Sequence, residues 1–402
     1  MPPTLQDIAA ADYATTTTAT AADMALLIKK QTLLRRNAHP KAEMDACDVD
    51  RIRSDSAHPG VKAMHDMLDI DRAGKVSGSR FYYLKNAGAM LEMALTRYAM
   101  DMCLQRGFMP VLVPVLVPDI IRHEVVEACG FSPRSDDPQT YYVSSHVPHE
   151  LDAVDPSHPP VGSDHTPLCL AATAEFPLAG MYAGETLLSL PMKMAGMGRA
   201  FRAFRAEGLS GSTNRGLYRV HQFTKVELFA LTRPTESMDI SKAFIDIQCD
   251  IFQGLEICFR VLNMPTEELG APAHIKYDME AWMPGRKTWG EISSTSNCTD
   301  YQSRRRNIRC FSNTPASISP VLTDKPVTGG DDKDTATEFV HTVNGTACAV
   351  PRLLIALLET HQDTDGNIHI PAKLRPYFLG ENVKILPVGK TLQEIMADAV
   401  SK

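Results

Sequence analysis

Apolar residues recur at helical spacing across Ala89–Arg106, where Leu91, Leu95, Tyr98 and Met102 share one face, and Gly107 follows as a stop signal. The run Phe108–Val117 reads as a strand bent at its prolines. Arg215–Leu231 and Lys287–Ser294 also read as strands, and Arg352–Thr360 as a buried helix. One long helix among several strand runs predicts an α+β fold, a mixed antiparallel sheet flanked by helices.

Outside these runs the periodicity fails. The opening stretch carries the low-complexity run Thr15–Thr20 and then the polar, charged segment Ile28–Asp55. It is a poor core former. A helix over Met24–Arg36 is compatible with the pattern, but no heptad is sustained. Ser132–Pro167 is rich in Pro, Ser, Asp and His, and Phe311–Glu338 holds Pro315, Pro320, Pro326, Gly329 and Gly330; both read as insertions between periodic segments. The expected organisation is a reduced, partly disordered N-terminal segment at 1–57, a catalytic domain at 58–386 with insertions at 132–167 and 311–338, and a tail at 387–402.

Composition narrows the function classes. With 402 residues, 44% hydrophobic and 22% charged, the chain is ordinary globular material rather than disordered throughout. A net charge of −7 offers no global basic footprint, so an RNA partner has to rely on a local patch. The nine cysteines are scattered without a CxxC pair, the usage of a reducing compartment. The first 28 residues contain no Lys or Arg but include Asp7, Asp12 and Asp23, unlike a mitochondrial presequence. A cytoplasmic location is expected, with the mitochondrion as the alternative. Stretches such as Val111–Val117 are far shorter than the roughly 20 apolar residues a membrane-spanning helix needs.

The richest chemistry lies in Phe204-Arg205-Ala206-Glu207, a Gly/Ser loop, and then Arg215 through Glu227, which includes Arg219, His221-Gln222-Phe223 and Lys225. It reads as two strands joined by a flexible loop, with arginines and carboxylates on one face. Guanidinium groups stay charged, bind phosphate oxygens in a planar fork and can neutralise charge developing at phosphorus. Taken alone, such a ribbon is more often a solvated charged surface.

Joint order changes that reading. The hairpin resembles motif 2 of class II seryl-tRNA synthetases, FRxE, a loop, then RGL-x-R-x-HQF-x-KVE. Thr173-Ala174-Glu175 resembles the family's serine-binding TAE, Glu291 to Asn297 its EISSCSN, and Asn344-Gly345-Thr346-Ala347 through Arg352 its motif 3. Val76 to Phe81 upstream and Leu374-Arg375-Pro376-Tyr377 downstream agree as well.

The resemblance implies a catalytic set of Arg205, Glu291 and Arg352, working with ATP and Mg2+. Arg205 is expected on the α-phosphate, Arg352 on the γ-phosphate and Arg219 near the terminal phosphates. Phe223 then supplies a face for adenine, and Glu207 accepts from its amino group. Glu291 and Ser294 are the implied magnesium ligands. Thr173 and Glu175 are expected to hold the serine ammonium, with Arg205 also at the serine. Glu227 and Thr346, with Asn344 nearby, are expected to face the serine side chain. The implied function is activation of L-serine to seryl-adenylate and transfer to tRNA(Ser), by a homodimer whose interface includes Ala89–Pro118. The alternative is a family member that passes serine to a carrier protein or small amine.

Departures from the pattern set further expectations. The family's long N-terminal coiled-coil arm cannot be drawn through the opening segment, so the grip on tRNA is expected to be weakened. Thr295 stands where Cys is usual, and Pro351 where Gly is frequent. His146, His149, His158 and His165 fit no tetrahedral metal spacing. Arg304–Arg309 reads as a solvated basic segment, with an RNA acceptor stem as the lesser reading.

Overall fold

The computed structural model describes residues 67–105, 113–131, 139–143, 167–203, 216–312 and 336–400. The 1–57 segment, through which no coiled-coil arm is expected, and the four loop histidines lie outside these residues, as do the hairpin loop and most of both insertions.

Seven strands form one sheet: β1 (Val113–Leu116), β2 (Met192–Phe201), β3 (Gln222–Thr232), β4 (Phe259–Asn263), β5 (Ile275–Met283), β6 (Thr288–Thr299) and β7 (His341–Ala349). Their spatial order is β4-β5-β6-β7-β3-β2-β1. Every neighbouring pair is antiparallel except β1 with β2, which is parallel, so the sheet is mixed as the pattern predicts.

Three helices, α1 (Asn86–Gln105), α3 (Ser237–Gly254) and α5 (Val350–Thr360), pack with one face of the sheet. Leu91, Leu95 and Tyr98 of α1, Phe244 and Ile251 of α3, and Leu353 and Leu357 of α5 share a core with Val226, Leu228 and Ala230 of β3. Gly88 lets α1 approach the chain closely, because a Cβ there would stand 2.7 Å from the Met67 carbonyl oxygen. On the opposite face α2 (Glu175–Gly180) and α4 (Tyr301–Arg306) flank a second core, to which Phe176, Leu178, Phe229 and Leu231 belong. The alternation along β3 therefore sends odd and even residues into different layers.

Several boundaries differ from the sequence pattern. The second hairpin strand starts at Gln222 rather than Arg215, because Gly216–Tyr218 forms a 3-10 turn entered at Gly216 with φ +67°. The first strand ends at Phe201, before the Phe204–Glu207 segment. Ala349 sits in extended backbone just before Val350 and Pro351, and the buried helix then begins at Val350, where Pro351 suits a first turn. Past residue 386, Leu392–Val400 forms a further helix whose Ile395 is buried in the larger core.

Candidate active site

Because β3 alternates, Lys225 and Glu227 point away from the helix-packed core. Glu227 is only 1% exposed. The Lys225 ammonium contacts the Glu227 carboxylate and donates to Thr173 Oγ1 at 3.0 Å, while Thr173 Oγ1 donates to Glu227 Oε2 at 3.3 Å. Burial pushes the Glu227 carboxyl up to about 7, against the pull of Lys225 and with some help from Glu175. Glu175, at the start of α2, accepts from Gln302 Nε2 at 2.6 Å and Asn344 Nδ2 at 3.1 Å. Burial raises its carboxyl as well, although Gln302 and Lys225 oppose the shift. Thr173, Glu175, Glu227 and Asn344 thus form one buried polar cluster. Thr346 pairs with Glu227 across the β7–β3 ladder, where a bulge between Thr346 and Cys348 breaks the register.

The second cluster gathers around Arg352, in the first turn of α5. Its Nη1 donates to the Glu291 carbonyl and to Glu291 Oε2, each at 3.0 Å, and its Nε donates to the Tyr218 carbonyl at 3.2 Å. The Tyr218 ring lies against Arg352 at 4.6 Å and Arg286 at 4.0 Å. Burial by itself raises the Glu291 carboxyl, but Arg352, Lys276 and Arg202 outweigh it and hold the group below its usual range. Burial and the neighbouring Arg352 push the Arg219 guanidinium down. Phe223, Arg219, Glu291, Ser294 and Arg352 line one pocket together with Lys225 and Thr346. Lys225 also reaches the polar cluster through Thr173 and Glu227, and Thr346 pairs with Glu227 in the ladder, so the pocket and the cluster adjoin.

A model of the class II tRNA synthetase core domain (G, H, P, S and T) matches residues 161–329. The serine–tRNA ligase of Rhodopirellula baltica is 38% identical over 368 residues, which is 87% of this chain and 76% of that protein. The chain belongs to the serine–tRNA ligase family. The mitochondrial serine–tRNA ligase of Schizosaccharomyces pombe is 42% identical over 77% of this chain and 57% of its own length. The crystal structure of seryl-tRNA synthetase from Pyrococcus horikoshii complexed with ATP superposes with a TM-score of 0.65 at 36% identity, covering 82% of this chain and 64% of that one. This chain therefore spans between just over half and about three quarters of the relatives it matches.

Within this family member, the sequence-derived candidates Thr173, Glu175, Arg219, Phe223, Glu227, Glu291, Ser294, Asn344, Thr346 and Arg352 converge on the two joined clusters. Arg205 and Glu207 lie outside the described residues. For a metal, Glu291 and Ser294 offer only hard oxygens. Among the described residues no group of three His, Cys, Asp or Glu could hold an ion unaided. That donor set fits magnesium, which takes one or two carboxylates and completes its shell with water and substrate phosphates.

Other participants were not singled out from the chain. Lys225 stands in the motif, but only folding shows it bridging Thr173 and Glu227. Gln302, two residues before the arginine run, orients Glu175. Gln248 of α3 donates to the carbonyls of Ser294 and Thr346, each at 3.0 Å, and so ties β6 to β7. Arg202 also lines the pocket, and Gln139, inside the 132–167 insertion, does too. In the basic segment, Arg309 is occupied with Thr337 and stacks on Phe339 at 4.1 Å, while Arg304 pairs with Asp300 at 2.6 Å. Arg309 is structural, which leaves the exposed end of α4 as the basic face.

Proposed function

We propose that the chain activates L-serine with ATP and magnesium and transfers the seryl group to tRNA(Ser). In the first step the serine carboxylate attacks the α-phosphorus and the bond to the bridging oxygen of the leaving pyrophosphate breaks. No protein nucleophile is needed, because the carboxylate already is one; positioning and charge neutralisation carry the step. In the second step a tRNA hydroxyl attacks the seryl carbonyl and AMP departs. Glu291 and Ser294 would hold magnesium, which would supply positive charge to offset that of the ATP phosphates.

The observation that carries this reading is the continuity between the buried Thr173–Glu175–Glu227–Asn344 cluster and the arginine-lined pocket of Arg219, Phe223 and Arg352. The first offers carboxylates, a hydroxyl and an amide suited to an ammonium and a hydroxyl, the second guanidinium groups and an aromatic ring suited to a polyphosphate and a flat base. In this scheme Glu175 and Thr173 take the ammonium, Glu227 and Thr346 the side-chain hydroxyl, and Arg352 and Arg219 the distal phosphates. Phe223 takes adenine, and Glu291 with Ser294 the metal. Arg205 and Glu207 are proposed on motif position alone, for the α-phosphate and the adenine amino group. A homodimer is proposed from the apolar surface around α1 and β1, where Met93 is 61% and Leu116 77% exposed.

The test pairs two assays on one preparation: serine-dependent exchange of pyrophosphate into ATP without tRNA, and serylation with it. Exchange together with charging at physiological salt supports the proposal. Exchange without charging favours a different acceptor, and no exchange with any amino acid removes the catalytic reading.

A further inference from the structure

Gln248 is a polar exception on the buried side of α3. It stands one turn from Phe244 and Ile251, which belong to the helix-packed core, and it is 0% exposed. An amide buried in this way is costly unless its donors and its acceptor find partners. Its partners come from two strands. Nε2 donates to the Ser294 carbonyl of β6 and to the Thr346 carbonyl of β7, each at 3.0 Å, and Oε1 accepts from Thr295 Oγ1 at 2.7 Å. Because carbonyls only accept, the nitrogen has to be the atom that faces both, which determines how the amide is turned.

These contacts lie where β6 and β7 part. The last pair of their ladder is Thr295↔Gly345; beyond it β6 stays paired with β5 from Ser294 onwards, whereas β7 stays paired with β3 through Thr346 and Ala349. Ser294 and Thr346 would form the next rung, and the single Gln248 nitrogen bridges their carbonyls instead. The Ser293 hydroxyl also donates to the Thr346 carbonyl. Gly345 leaves room for the amide, since a Cβ there would stand 2.9 Å from Thr295 Oγ1 and 3.1 Å from Gln248 Nε2. Both prongs of the fork line the pocket, β6 with Glu291 and Ser294 and β7 with Thr346, while Gln248 and Thr295 are not among its lining residues.

We propose that Gln248 and Thr295 are positioning residues for serine activation: without touching either substrate, they set the separation of the strand that carries Glu291 and Ser294 from the strand that carries Thr346. The proposal rests on the ligase reading above and deepens it. In that reading one prong holds the metal and the phosphates and the other holds the serine hydroxyl, so the width of the fork sets how far the serine carboxylate stands from the α-phosphorus. A misplacement of about 1 Å at that point can cost about 10²-fold in rate. The Thr295 hydroxyl holds Oε1 and so keeps Nε2 turned to both carbonyls.

The experiment measures pyrophosphate exchange, calorimetric titration with ATP and magnesium, and thermal melts on the wild-type chain, Gln248→Met, Thr295→Val, Thr295→Ser and the double variant Gln248→Met with Thr295→Val. Met keeps the length of Gln without its donors, Val keeps the shape of Thr without its hydroxyl, and Ser restores the hydroxyl. Gln248→Met is expected to lower the exchange kcat by about 10²-fold and Thr295→Val by about tenfold, while the Kd for ATP changes by less than about threefold. Thr295→Ser is expected to return to within about threefold of the wild-type kcat, and the double variant to lose no more than Gln248→Met alone, because the two residues act through one contact. A structural role alone would lower Tm and leave the kcat of the folded enzyme in place. The proposal is overturned by a kcat within about threefold of the wild type in Thr295→Val, by Thr295→Ser losing as much as Thr295→Val, or by a loss that falls on the Kd for ATP instead of kcat. Those three arms decide it even where Gln248→Met does not fold, since Thr295→Val removes one hydroxyl only. A wild type that exchanges no label with serine brings down the ligase reading and the proposal together, whereas an active wild type with undiminished variants brings down the proposal alone.

Discussion

Arg352 Nη1 donates to both the backbone carbonyl and the side-chain carboxylate of Glu291, at 3.0 Å in each case. The pair joins the first turn of α5 to β6 and places the guanidinium expected on the γ-phosphate against the carboxylate expected on magnesium. Neither group is deeply enclosed, with side chains 24% and 39% exposed, so the pair is open to an incoming phosphate. With nucleotide and metal bound, Arg352 would donate to phosphate oxygens and Glu291 would hold the cation, so neither partner would be left unsatisfied.

Glu291→Ala is accordingly expected to reduce pyrophosphate exchange by about 10²-fold or more, without restoration by excess magnesium. Glu291→Gln retains an acceptor for Arg352 but is a poor metal ligand. It is expected to melt close to the wild type and still exchange slowly. Recovery of exchange in the Gln variant would assign Glu291 a structural role and move the metal elsewhere.

Serine binding is expected to depend on pH through Glu227. Its carboxyl is raised to about 7 by burial, so it is mainly protonated at pH 6 and mainly ionised at pH 8. The ionised form accepts a hydrogen bond from the serine hydroxyl on either oxygen, so the KM for serine should fall as pH rises through 7. Steady-state exchange from pH 6 to 8 measures this, and Glu227→Gln should flatten the profile. A profile that keeps its inflection in the Gln variant belongs to another group.

Selectivity for serine over alanine is expected to rest in part on Thr346, whose side chain faces the pocket from the strand beside Glu227. Thr346→Val preserves shape and removes one hydroxyl. The ratio of kcat/KM for serine over alanine should drop by about 1–3 kcal/mol, the cost of leaving a hydroxyl-binding site half satisfied. Equal ratios in the two proteins would place the discriminating contact elsewhere.

Association is expected along β1, an edge strand whose Leu116 is 77% exposed beside an apolar groove formed with Met100, Leu104 and Met197. Edge strands of this kind invite pairing with another chain. Light scattering at micromolar concentration should report a dimer, and Leu116→Asp should shift it towards monomer. A monomeric wild type would remove the dimer from the proposal.

Much of this site could be read along the chain because its residues are carried in short, ordered segments. Thr173 and Glu175 lie two residues apart, Glu291 and Ser294 share one strand, and Asn344, Thr346 and Arg352 follow one another from β7 into α5. The helix over Ala89–Arg106 was legible for a similar reason, since its apolar face repeats within a single element. Gln302, Gln248 and Lys225 were not legible as participants. Their partners, Glu175, the Ser294 and Thr346 carbonyls, and Thr173, lie far away in the chain. No local period encodes a contact of that kind.

The sequence by itself determined the family, the α+β class and the chemical inventory of the site, because each depends on residue identity and order. The tertiary structure alone decided that Glu227 is buried beside Lys225 and that Glu291 is held charged by Arg352. Those outcomes depend on register and desolvation. One residue of slip turns a side chain to the opposite face, and the energy of a charge is set by what surrounds it rather than by its neighbours in the chain.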